Sequence, residues 1–216
     1  MSEAIHRMGP DEFLDWCQYQ EERYELVDGV PVAMAGAQRR HDQIVVNAML
    51  AIGPRLRGGP CRPFTADTGV RIPAGNIRRP YLGVDCGQFV DTALSADRLT
   101  LVIEVLSPST RAFDLMTKLD EYKSIETLGH VLLVDPDQPQ VIHWSRPPSG
   151  QWRQDMASGL DAIVHLSAID VALPLSELYA DLTFRARPYL VRPEGITRDR
   201  ADRDGATCES RDKTKC

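Results

Sequence analysis

Short apolar runs separated by turn residues predict more strands than helices along this chain. Pro10-Asp-Glu-Phe-Leu-Asp-Trp-Cys17 reads as a short helix with proline in its first turn. Tyr24-Glu-Leu-Val-Asp-Gly29-Val-Pro-Val-Ala-Met34 reads as a hairpin on an Asp-Gly turn. From His41 to about Arg57, Ile44, Val45, Ala48, Met49 and Ile52 recur at the spacing of an amphipathic helix. Strands are expected near Cys61–Phe64, Gly69–Ile72, Tyr81–Asp85 and Leu99–Leu106. Further strands are expected at His130–Val134, Gln140–Trp144, Trp152–Met156 and Ala162–Leu166, with a short helix at Pro174–Tyr179. A sheet flanked by helices, with hairpins attached, makes the fold class α/β or α+β.

One residue breaks this pattern. Leu99-Thr-Leu-Val-Ile-Glu-Val-Leu106 is apolar on both alternating faces except at Glu104, so it reads as a central strand buried on both sides. A lone buried carboxylate costs several kcal/mol unless a cation or metal ion compensates it. The next helix, from Asp114 to Tyr122, carries Asp114, Lys118 and Tyr122 on one face. Lys118 is therefore a candidate partner of Glu104. The plain alternatives are a buried Glu104–Lys118 ion pair without chemistry, or an i,i+4 surface pair of Asp114 with Lys118.

Composition narrows the class. With 216 residues, 43% hydrophobic and 26% charged, the chain suits one soluble domain plus a tail. No apolar stretch approaches a membrane span, and Met1-Ser-Glu-Ala-Ile-His-Arg does not read as a signal peptide. Cys17, Cys61, Cys86, Cys208 and Cys216 are odd in number and form no C-x-x-C, so free thiols in a reducing cytoplasm are expected rather than a disulfide framework or a zinc site. From about Arg187 onward the periodicity dissolves, and residues 187–216 are expected to be a charged, disordered tail behind a folded unit at 1–186. The net charge of −6 is not that of a general nucleic-acid binder. Bound divalent ions would invert the sign of a site locally, so the charge weakens such a role without excluding it.

The series Tyr24-Glu-Leu-Val-Asp-Gly29, His41, Arg79-Pro80, Glu104-Val-Leu-Ser-Pro-Ser-Thr110 and Asp114-x-x-x-Lys118-x-x-x-Tyr122 resembles the Uma-type restriction endonuclease family, over roughly residues 8–184. The resemblance implies a restriction-endonuclease-like fold of the PD-(D/E)XK kind, a mixed central sheet flanked by helices. It implies a Mg²⁺- or Mn²⁺-dependent hydrolase of DNA phosphodiesters, with Glu104, Lys118, His41 and Glu25 in the catalytic set. One or two such ions can activate water and stabilise charge on the phosphoryl oxygens. Glu104, Glu25 and Asp85 are the candidate metal ligands. A cytoplasmic homodimer, with DNA as partner and no membrane, is the expected setting.

One departure qualifies the expected activity. Where the family places aspartate after the proline, this chain has Pro80-Tyr81. A phenol with a pKa near 10 is a poor Mg²⁺ ligand at neutral pH. Asp85 would share a strand face with position 81 but lie about 13 Å away. Cleavage is therefore expected to be impaired unless Asp85 or Glu25 is recruited. The alternatives from other classes are a catalytically inactive nuclease-fold binding or dimerisation module, and an unrelated small-molecule enzyme using Glu104 and Lys118. His130, His143 and His165 are expected to be structural, and Trp16, Trp144 and Trp152 to serve packing.

Overall fold

A computed structural model describes residues 7–34, 36, 38–107, 114–147 and 149–184. Helix α1 spans Pro10–Cys17 and α2 spans Arg39–Leu56. Strands β1 (Tyr24–Val27) and β2 (Val30–Ala33) form the expected hairpin, with Asp28 and Gly29 at φ 48° and 78° in the turn. Left-handed backbone at both positions is what an Asp-Gly hairpin turn supplies. A small sheet of order β2-β1-β5-β4 joins this hairpin to β4 (Val70–Arg71) and β5 (Ile77–Arg78). The Ile77–Arg78 strand is too short to leave a periodicity in the sequence.

The main sheet has six strands, in the order β10-β9-β8-β7-β6-β3. These are β3 (Arg62–Thr65), β6 (Leu82–Asp85), β7 (Leu99–Val105), β8 (His130–Asp135), β9 (Gln140–Ser145) and β10 (Arg153–Ser158). Only β7 and β8 run parallel; every other neighbour pair is antiparallel. A parallel pair needs a crossover, and this one contains a π-helical turn at Asp114–Lys118 that leads into α3 (Leu119–Lys123). Hairpin β11 (Ile163–Leu166) and β12 (Val171–Pro174), then α4 (Leu175–Leu178), complete the described chain.

All seven residues of β7 are buried, as the continuous apolar run predicts. Leu101, Ile103 and Val105 pack into the core beneath α2, α4 and the β11–β12 hairpin. Val102 and Leu106 face the opposite core, with Leu119 and Tyr122 of α3. Strand alternation therefore turns Glu104 toward α3. Gly83 on β6 lets the Phe64 ring of edge strand β3 lie against the backbone, since a Cβ there would fall 2.2 Å from the ring.

The thiol expectation needs correction. Cys61 and Cys86 form a disulfide. They stand one step beyond the Arg62↔Asp85 register pair, so antiparallel pairing brings together two cysteines that lie 25 residues apart. Spacing along the chain cannot reveal such a cross-strand partner. Cys17 is free. Cys208, Cys216 and the whole of the expected tail from Arg187 lie outside the described residues, as do Pro108, Ser109, Thr110 and the Asp114 side chain.

Candidate functional site

Four elements converge on Glu104. Lys118 Nζ, at the junction of the π-helical turn and α3, lies 3.6 Å from Glu104 Oε1 and 3.1 Å from Glu25 Oε1 on β1. Tyr122, one helical turn after Lys118, donates its hydroxyl hydrogen to Glu104 Oε1 at 2.7 Å. The expected helix face at Lys118 and Tyr122 is thus turned onto the carboxylate. Glu25, Glu104 and Lys118 are 7%, 1% and 8% exposed, so solvent screens these contacts little. Burial and then the neighbouring Glu104 charge hold the Tyr122 hydroxyl well above its ordinary pKa, which keeps it a donor.

Glu25 is held by more than Lys118. The Arg79 backbone N–H donates to its Oε1 at 3.0 Å and Arg78 Nη1 donates to its Oε2 at 3.2 Å. Arg78 is fully buried and also donates through Nη2 to Glu121 Oε1 at 2.8 Å. Asn76 Nδ2 reaches the same oxygen at 2.7 Å. Burial opposes the charge on Arg78, but Glu121 and Glu25 more than offset it and hold its pKa above the ordinary value. The sequence pattern missed Arg78, Glu121 and Asn76. Glu121 follows Lys118 by three positions, a helical neighbour spacing that could have drawn it in.

His41 belongs to a different surface. Its Nε2 lies 3.1 Å from the Val105 carbonyl oxygen, so that nitrogen carries the hydrogen. Its ring meets Tyr81 edge-on with centroids 4.1 Å apart. Strand β6 begins at Leu82, whose register partner is Ile103, so Tyr81 occupies the next step, where the chain passes Glu104. Instead of turning onto the Glu104 face, Tyr81 packs toward the α2 side. His41, Arg79 and Tyr81 line an open groove of about 1450 Å³ that also touches Arg23, Asp42 and Met49. Glu25, Glu104 and Lys118 are not among its lining residues.

Asp85 is placed elsewhere. At the far end of β6 its carboxylate accepts backbone N–H groups of Gly87, Asp97 and Arg98 at 2.8–2.9 Å. It therefore organises the loop before β7 and is not brought to Glu104. His130 and His143 form a buried pair on β8 and β9. Lys123 caps the Trp144 ring at 3.1 Å, and Trp152 donates to the Lys123 carbonyl.

A divalent ion can be tested against these donors. Mg²⁺ uses one or two protein carboxylates and needs oxygen ligands in an octahedron. Glu25 and Glu104 have suitable chemistry, but an ammonium lies within reach of both, and Arg78 takes the other Glu25 oxygen. Among the described residues, no group of three or more His, Cys, Asp or Glu side chains is arranged to hold a metal ion. Tyr81 stands where a further carboxylate is expected. The residues as they stand do not fit a resident divalent ion.

Fold and polar cluster together define a restriction-endonuclease-like α+β protein. The pattern of the Uma2 family, described as "Putative restriction endonuclease", matches residues 10–176, and the chain belongs to that family. Two relatives come from Synechocystis sp. The protein slr1290 is 28% identical over 191 residues, spanning 85% of this chain and 97% of that protein. The protein sll1609 is 24% identical over 164 residues, spanning 74% and 93%. Among solved structures, a "putative nuclease belonging to DUF820" from Anabaena variabilis matches with a TM-score of 0.64 at 18% identity, covering 80% of this chain and 97% of that one. At that identity the likeness establishes the fold. Among the described residues, no helix is long and apolar enough to cross a membrane.

Proposed function

We propose that this chain engages DNA phosphodiesters through the nuclease scaffold and that its hydrolytic centre is impaired. The observation that carries the reading is the meeting of Glu25 and Glu104 on Lys118 beside a β6 entry where tyrosine replaces the expected carboxylate. Lys118 suits offsetting charge or orienting water, Glu104 and Glu25 are the carboxylates, and His41 faces the groove where substrate would lie. Mg²⁺ or Mn²⁺ would supply water activation and charge neutralisation. With Tyr81 in place the chain holds such an ion poorly. DNA is the partner this reading implies, and a homodimer would offer one such site to each strand.

The test is the Tyr81→Asp protein. Its new carboxylate stands on the groove side, at the chain step that passes Glu104, without displacing Lys118. Mg²⁺- or Mn²⁺-dependent nicking of plasmid DNA should appear or increase, and a further Glu104→Ala change should abolish the gain. The unmodified protein should cleave weakly or not at all. Robust Mg²⁺-dependent cleavage by the unmodified chain, insensitive to Glu25 substitution, would overturn the account of the site.

A second reading, a nuclease-fold binding module without chemistry, is favoured by one observation. The carboxylate cluster is closed by its own cations and does not line the groove. Tight DNA binding by both forms with cleavage by neither would select it.

A further inference from the structure

Two buried carboxylates, Glu25 and Glu104, and the half-buried Glu121 meet two buried cations, Lys118 and Arg78, in one cluster. Taking carboxylates out of water is tolerated only when opposite charge accompanies them. Each cation has a distinct place. Arg78 binds Glu25 Oε2 and Glu121, so it fixes Glu25 from the small-sheet side. Lys118 Nζ lies between one oxygen of each glutamate, 3.1 Å from Glu25 Oε1, which also accepts the Arg79 N–H, and 3.6 Å from Glu104 Oε1, which also accepts the Tyr122 hydroxyl. A divalent ion bridging those two oxygens would compete with the ammonium for the same place. A lysine ammonium is a compact point charge on a flexible stem, well suited to filling a cation's seat.

We propose that the Lys118 ammonium is the resident cation of the Glu25–Glu104 pair, and that this seat becomes a divalent-cation site when the ammonium is removed. The proposal rests on the reading of Glu25 and Glu104 as the carboxylates of the site, and not on any cleavage. Substitution of Lys118 leaves the donors oriented, because Arg78 and the Arg79 N–H still hold Glu25, and Tyr122 still holds Glu104. Two fixed carboxylates completed by water meet the needs of Mn²⁺ or Mg²⁺. The structure thus separates two routes to metal. Tyr81→Asp adds a carboxylate on the groove side with Lys118 in place, while Lys118→Met vacates the buried seat.

Mn²⁺ itself is the probe, followed by the loss of its free EPR signal and by thermal melting. The unmodified protein should leave the free Mn²⁺ signal unchanged and melt at the same temperature with or without the ion. Lys118→Met should melt lower without metal, bind a single Mn²⁺ and regain much of the lost melting temperature. Lys118→Met with Glu104→Gln should bind none. Should Lys118→Met fold only when Mn²⁺ is present, that too supports the proposal, while failure to fold with Mn²⁺ overturns it. A folded Lys118→Met protein indifferent to Mn²⁺ also overturns it. So does binding by the unmodified protein that Glu104→Gln abolishes. The outcomes stay separable from those of the DNA reading. A Tyr81→Asp protein that fails to cleave leaves the Lys118 result standing, and Mn²⁺ binding by the unmodified chain removes this inference without touching DNA binding.

Discussion

Tyr122 and Glu104 are joined by a 2.7 Å hydrogen bond from phenol to carboxylate, both side chains lying almost wholly out of water. Eighteen residues separate them in the chain, across the crossover that links β7 to β8. Hydrogen bonds to a charged acceptor contribute about 1.5–3 kcal/mol. Tyr122→Phe keeps the ring in its core and deletes only the donor. It should lower unfolding free energy by about 1–3 kcal/mol in chemical denaturation and leave the circular dichroism spectrum unchanged. An unchanged denaturation midpoint would show that the Tyr122 hydrogen bond adds nothing to the other contacts of Glu104.

Arg78 should matter more than its position in a two-residue strand suggests. It is fully buried and binds both Glu25 and Glu121. Removing one partner of a buried charge network strands the others and costs about 3–5 kcal/mol. Arg78→Met should therefore destabilise the protein by about that amount, whereas the exposed pair of Arg23 and Asp67 should contribute under about 1 kcal/mol when Arg23 is changed to Met. Urea denaturation of both variants side by side makes the comparison. Equal effects would remove the cluster's claim to organise the fold.

Much of this arrangement was written in local pattern. The single carboxylate in the Leu99–Leu106 run announced a buried Glu104, and the Lys118–Tyr122 spacing supplied its partners, because strand and helix periods act over a few residues. The Asp-Gly turn set the register that brings Glu25 to the inner side. Nonlocal pairing was less legible. Arg78 and Glu121 meet across 43 residues through β5 and α3, and neither short element has a period of its own. The Cys61–Cys86 link depends on β3 pairing with β6, which spacing does not encode. Residues 114–118 also form a π-helical turn where a regular helix was expected, at the point where Lys118 must reach two carboxylates. Such turns are frequent at functional sites.

The disulfide carries its own prediction. It closes a segment with a sequence separation of 25, and constraining a loop of that length in the unfolded chain stabilises by about 3 kcal/mol. It also ties edge strand β3 to β6, which begins directly after Tyr81. Cys61→Ser, or reduction by dithiothreitol, should lower stability by about 2–4 kcal/mol. Peptide mapping after alkylation without reductant should recover Cys61 and Cys86 in one linked peptide and Cys17 modified. Alkylation of Cys61 in the native protein would remove the bridge from the account.

The His130–His143 pair predicts the pH dependence of stability. The Ala168 backbone N–H donates to His130 Nε2 at 3.1 Å, so that nitrogen is an acceptor and Nδ1 carries the hydrogen. Nδ1–H then donates to His143 Nε2 at 2.9 Å, which fixes both rings as neutral in the native state. Burial, and then the neighbouring His143, push the His130 pKa down from 6.5 to about 4. His143 is also lowered by burial, against the opposing pull of Asp155. The unfolded chain binds these protons more readily than the folded one. Stability is therefore fully present above the unfolded value of about 6.5 and is lost as pH falls toward about 4. A depression of this size corresponds to about 3 kcal/mol for His130. Protonation would also set a ring N–H against the Ala168 N–H and loosen the turn between β11 and β12 from β8. His130→Asn removes the titrating group and should flatten the stability profile between about pH 6.5 and 4. Denaturation curves of the two proteins across that window provide the measurement. Parallel profiles would assign the acid sensitivity to the carboxylates instead.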